Sequence, residues 1–187
     1  MPTKPKANLG PAAGPANRAA LIDAARRVFA KEGFMAPLSS VARLAGVGQG
    51  SLYRHFPDRM SLAVAVFDDN VTELESLAGD PEATLAHLFD GVSKQAMTST
   101  ALIDMLSVET DDPRAQRLAD RVAQVAAALL ARDQERGRIG PAVETADVML
   151  AISMLAFLLA RTPARDRAET AVRARTMLWA SFVAPSP

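Results

Sequence analysis

Residues 40–57, reading Ser40-Val-Ala-Arg-Leu-Ala-Gly-Val-Gly-Gln-Gly-Ser-Leu-Tyr-Arg-His-Phe-Pro57, leave this chain few ways to fold, because they break a helix at one point and restart it almost at once. Val41, Ala42 and Ala45 recur at helical spacing. Gly46 follows, free to take the left-handed conformation that closes a helix, and Val47 supplies an apolar contact at the bend. Leu52 and Phe56, four apart, bury one face of the next short helix. Its other face carries Gln49, Ser51, Tyr53, Arg54 and His55, side chains able to bond phosphates or base edges. Two short helices joined by a glycine turn, the second presenting a polar face, make up the helix-turn-helix that sets its second helix in a major groove. A helical hairpin in a bundle, polar outside because outer faces are polar, is the alternative reading of these residues alone.

The remainder of the chain favours helices throughout. Aromatic residues are only 5% of the 187, against 49% hydrophobic residues overall, and alanine and leucine, both strong helix formers, are abundant. An all-α fold of about nine helices is expected, at 17–31, 38–45, 49–55, 59–77, 82–97, 101–109, 113–136, 144–160 and 165–183. Pro81, Pro113 and Pro141 stand at or just before helix starts, where a missing N–H costs least. Residues 1–16, with four prolines and two glycines, read as a disordered arm without a signal-peptide apolar segment. The organisation expected is that arm, a head over 17–60 with a connecting helix to about 77, and a helical body over 82–187.

Charge divides along the same line. Residues 1–60 hold nine Lys or Arg against three acids, and the remainder holds twelve against eighteen, so a net charge of zero conceals a basic head on an acidic body. Such a head is drawn to a polyanion while the body is repelled. Lys4 and Lys6 on the arm are within that basic portion. The chain has no cysteine, which excludes disulfides and thiolate metal sites and suits a reducing cytoplasm.

Residues 148–160 are apolar on every side apart from Ser153, and a helix with no polar face must be covered all round. Thirteen residues are too few to cross a bilayer, which takes about 20. The expected cover is the chain's own core on one face and a second copy on the other. Ile152, Leu155 and Leu159, with Val172, Met177, Leu178, Trp179 and Phe182 from the last helix, are the candidate residues of a four-helix homodimer interface.

From Asn17 to about Leu77 the sequence resembles the TetR family of bacterial transcriptional repressors. Arg18, Leu21, Ile22, Ala24, Ala25, Phe29 and Gly33 follow the family's first-helix pattern. Val41-Ala42, Ala45-Gly46-Val47, Leu52-Tyr53-Arg54-His55-Phe56-Pro57, Arg59 and Leu62 follow its next three helices without a gap. Two positions depart from it. Gly48 stands where the family usually has a capping Ser, and Pro37 where a Thr or Ser often caps the second helix and touches a phosphate, leaving Ser39 or Ser40 to take that role.

The resemblance implies a homodimeric repressor gripping a near-palindromic double-stranded DNA operator, its two heads about one helical turn (~34 Å) apart. Gln49 is the candidate base reader, since its amide can pair bidentately with adenine, and Ser51 a base or phosphate contact. Gly48 and Gly50 allow close approach of the backbone. Tyr53, His55 and Arg59 match phosphate-binding positions of the family, Arg54 suits either role, and Tyr53 equally suits packing between helices. The resemblance also implies release from DNA by a small-molecule effector held in the body. Candidate pocket residues are Met97, Met105, Leu106, Leu129, Met149, Ile152, Met154 and Phe157, with His87 as a polar anchor.

Catalysis is not expected. The two histidines lie far apart and the carboxylates show no metal-ligand spacing, so neither a cofactor nor a metal nor a membrane partner is anticipated. The alternative function is a helical dimeric ligand carrier or scaffold on the same frame, without sequence-specific DNA binding.

Overall fold

The computed structural model describes residues 14–98, 103, 105 and 111–183. Among them are eight helices: α1 (Gly14–Glu32), α2 (Leu38–Ala45), α3 (Gln49–His55), α4 (Arg59–Gly79), α5 (Leu85–Thr98), α6 (Pro113–Glu135), α7 (Thr145–Arg161) and α8 (Arg167–Phe182). The helix expected at 101–109, Ile103 and Met105 apart, lies outside the described residues, as do residues 1–13 of the arm; residues 14–16 of the arm belong to α1.

Each boundary has a local cause. Gly33 (φ 82°) ends α1 and Gly46 (φ 66°) ends α2, both in the left-handed region that costs glycine little. The Asp58 carboxylate accepts from the Ser61 N–H at 2.7 Å while the Ser61 hydroxyl faces the Asp58 N–H, a reciprocal cap that starts α4. Asp112 caps α6, with Pro113 in its first turn. The start of α5 falls three residues later than the sequence suggests, because a turn at Asp80–Ala83 intervenes. The Leu85 N–H then donates to Asp133 of α6, whose fully buried carboxylate is also held by Arg138.

Two apolar clusters divide the molecule. The first joins α1, α2, α3 and the start of α4, including Leu21, Phe29, Val41, Leu52 and Leu62, and reaches Met105, Ala115 and Leu118. The second joins α5 to α8 with Leu74 of α4, and Val122 packs against both. α4 lies along α6, α5 against α7, and α7 against α8, so α4 and α6 are the elements shared by head and body.

The packing corrects part of the dimer-interface assignment. Ile152, Leu155, Leu159 and Phe182 are buried in the second cluster of the chain's own core, Leu178 and Trp179 are partly buried there, and Phe182 sits 6.1 Å from Phe89, ring centre to ring centre. The apolar residues left outside are Leu150, Met154, Phe157 and Leu158 on α7, and Val172 and Met177 on α8. Of the residues assigned from sequence, Val172 and Met177 are on that outer face.

Candidate nucleic-acid interface

α2 and α3 form a rigid elbow. At its turn the Gly46 N–H donates to Arg43 O (3.2 Å) and the Val47 N–H to Ala42 O (3.0 Å), which satisfies carbonyls that the end of α2 would otherwise leave open. Leu52 and Phe56 anchor α3 into the first cluster, Leu52 with no exposed surface. Anchoring one face leaves the other in solvent. Gly48, Gln49, Gly50, Tyr53 and Arg54 are exposed, Ser51 and His55 partly so, and Tyr53 keeps 51% of its surface accessible. The packed alternative for Tyr53 does not hold.

The cap at Gly48 is absent as a side chain. Its carbonyl accepts from Ser51 and Leu52, at 2.9 and 3.0 Å, and nothing projects over the first turn of α3. A Cβ built on Gly48 or Gly50 would meet open space, so both positions present bare backbone to any surface α3 approaches. α2 likewise lacks a side-chain cap at Pro37; Ser39 is exposed and Ser40 partly so in its first turn.

Arg59 differs from the rest of the set. Its Nη1 donates to Phe34 O (2.6 Å) and Ala36 O (2.5 Å), and its guanidinium lies 5.6 Å from the centre of the Phe34 ring. These bonds fix the α1–α2 connection, so the group is structural before it is anything else. Arg26 is likewise tied to Asp23 and to Asp69 of α4. Arg18, which lies over the Phe56 ring at 5.3 Å, is an exposed cation near the end of α3 that the motif alone did not single out.

The head is joined to the body through three arginines of α6. Arg114 Nη1 lies 3.0 Å from both oxygens of Asp58, the cap of α4, while its Nε and Nη2 bond Asp112. Arg121 bonds Asp68, Thr72 and Glu75 along α4, and Arg132 bonds carbonyls at Ala78, Asp80 and Ala83 at its far end. Partial burial pushes the Asp58 carboxyl up, but the Ser61 N–H and Arg114 outweigh it and hold it below the usual range. Hydrogen bonds from Arg114 bring Asp112 down to about 2.

Between α4, α5, α6 and α7 is a cavity of about 380 Å³. Of the candidate pocket residues it takes Met149, Ile152 and Phe157 only. Met105 belongs to the first cluster, Leu129 is enclosed in the second, Met97 and Met154 are exposed, and Leu106 lies outside the described residues. His87 is exposed and its Nδ1 accepts from the Thr84 N–H at 3.0 Å, a local bond at the start of α5. Asn70 and Gln95, which also line the space, were not foreseen from sequence. Among the described residues, no helix is long and apolar enough to cross a membrane.

A helix-turn-helix head carried by α4 on a helical body defines the class, and comparison with known proteins agrees. Residues 21–66 match the family model of bacterial regulatory proteins, tetR family. The head is therefore a tetR-family domain, and the chain has the fold of the TetR-family transcriptional regulators, which are DNA-binding proteins and not enzymes. It is similar to the TetR transcriptional regulator SCO0520 from Streptomyces coelicolor, at 26% identity over 90% of this chain and 99% of that one, with a TM-score of 0.64. A TetR transcription regulatory protein from Mycobacterium vanbaalenii is 26% identical, over 92% and 98%, with a TM-score of 0.57. A gamma-butyrolactone receptor described as ArpA-like, 19% identical over 91% and 90% (TM-score 0.62), shares the fold. No curated protein matches the chain.

Proposed function

We propose that the chain is a cytoplasmic, homodimeric transcriptional repressor that binds a near-palindromic operator and leaves it when a small molecule enters the body. The observation that carries this reading is the exposed polar face of α3, held off the core by Leu52 and flanked by two glycines that bring its backbone close to a partner surface. On DNA, Gln49 reads a base edge, Ser51, Tyr53, Arg54 and His55 contact bases or phosphates, and Ser39 and Ser40 of α2 bond the backbone. Residues 17–60 act as the DNA-binding domain, with α4 as its connection, and 82–187 as the effector and dimerisation domain.

Two heads need a fixed spacing, and the outer face of α7 and α8 supports a dimer that would provide it. Leu150, Met154, Leu158 and Met177 stand exposed in the single chain, large apolar groups of the kind that pairs isologously across a two-fold axis. The effector acts through α6. Its inner face lines the cavity and its Arg114, Arg121 and Arg132 hold α4 along its length, so displacing α6 reorients the head.

Selection of bound fragments from random duplex DNA tests the proposal. An inverted repeat with half-site centres about one helical turn apart is expected; recovery of no preferred sequence would favour the ligand-carrier alternative.

A further inference from the structure

We infer that the cavity takes an uncharged, mainly apolar molecule bearing one neutral hydrogen-bonding group, and discriminates against carboxylates and amines of the same shape. The inference rests on the reading of the body as an effector domain and goes on to name the class of effector.

The walls are aliphatic: Val71 and Leu74 from α4, Leu118 and Val122 from α6, Met149 and Ile152 from α7. None of the described lining residues is ionisable. Its polar members are Asn70, Gln95, Gln116 and Ser153, which are carboxamides and a hydroxyl. Charged residues of the surrounding helices form pairs outside the cavity, and Arg161, exposed at the end of α7, lies over the Phe157 ring. Glu73 pairs with Lys94 on the outer side of α4 and α5, and Arg121 is held by Asp68 and Glu75. An ion entering the cavity would give up its hydration and find no opposite charge among the described lining residues, and a buried charge without a partner is far costlier than a buried amide or hydroxyl that keeps its hydrogen bonds.

The polar groups are arranged to read a neutral function. Gln95 Nε2 donates to the main-chain oxygen of Asn70 at 2.8 Å, which fixes the carboxamide plane and leaves its oxygen to accept from a ligand N–H or O–H. The Asn70 side chain, on the adjacent turn of α4, offers both a donor and an acceptor. Ser153 donates to Met149 O on its own helix at 2.8 Å and retains acceptor capacity. The volume of about 380 Å³ equals on the order of a dozen water molecules at about 30 Å³ each. A single-chain amide or alcohol with about a dozen non-hydrogen atoms fills such a space.

Decanamide, decanoate and decylammonium have nearly the same length and differ in charge. Calorimetric titration of each into the full chain without DNA at pH 7, below the concentrations at which the probes self-associate, reads the discrimination directly. Decanamide is expected to bind at least about tenfold more tightly than either ion, and Asn70→Leu to weaken it. Met149→Trp, which fills the cavity, is expected to abolish binding. If that variant does not fold, Gly91→Ala tests the same wall and is expected to weaken binding, since its added Cβ would lie 2.7 Å from a methyl of Leu74, a lining residue that must then shift. Equal affinity for the three probes, preference for an ion, no binding of decanamide, or binding untouched in the folded cavity variant would overturn the inference. Binding of the unliganded protein to duplex DNA, measured alongside, separates failure of this inference from failure of the regulatory reading.

Discussion

Arg114, in the first turn of the longest described helix of the body, donates from a single nitrogen to both carboxylate oxygens of Asp58, at 3.0 Å each, and Asp58 caps α4 three residues after α3 ends. The same helix contributes Leu118 and Val122 to the cavity. The end of the recognition helix and the wall of the cavity are thus joined through one ion pair and a single turn of helix.

The two partners of that pair contribute unequally to stability. Asp58→Ala removes the cap of α4 as well as the bridge and is expected to cost about 1–2 kcal/mol. Arg114→Ala removes a half-exposed pair and is expected to cost less than about 1 kcal/mol. Urea denaturation of the two single variants and the double variant measures both, with a coupling energy below about 1 kcal/mol expected.

Acid should loosen the junction at a defined point. The folded carboxyl of Asp112 sits at about 2, below its ordinary value of 3.8, and Asp58 is lowered as well. A carboxyl lowered on folding stabilises the fold above its unfolded value and loses that contribution as pH falls through the folded one. Stability is therefore expected to decline between about pH 4 and pH 2, with part of the decline missing in Asp112→Asn. Thermal melts at stepped pH show it.

The outer face of α7 distinguishes assembly from folding. Met154→Glu, at a position 55% exposed in the single chain, is expected to yield a folded monomer, whereas Ile152→Glu, at a position 7% exposed, is expected to unfold the body. Light scattering together with circular dichroism tells the two outcomes apart.

Gly91 sits where α5 passes closest to Leu74. Gly91→Ala gains helix propensity of about 1 kcal/mol and displaces only the end of a side chain that has the cavity beside it. Its melting temperature is expected to stay within a few degrees of wild type while affinity for decanamide falls.

The head is legible in the sequence because its signals are local. A glycine that must turn left-handed, an apolar pair four residues apart and a proline two residues past His55 act through the backbone that bears them, and α2 and α3 form at the expected residues. The faces of α7 are not legible. Where every neighbour is apolar, no phase is written along the helix, and only packing against α5 and α8 decides that Ile152 faces in and Met154 faces out. The pocket is hidden for a related reason: methionines suggest a cavity by composition, yet Met105 and Met149 are assigned to different clusters by tertiary contacts. Arg114, Arg121 and Arg132 were readable in part, since intervals of seven and eleven residues keep them on one face of a helix. Their partners on α4 required the fold.

The central claim is that α3 reads base edges, and Gln49→Ala tests it most directly when wild type and variant are compared by fluorescence anisotropy on the selected operator and on a scrambled duplex at one salt concentration. A loss of about 1–3 kcal/mol is expected on the operator, with little change on the scrambled duplex. An unchanged preference for the operator, or an equal loss on both duplexes, would contradict it.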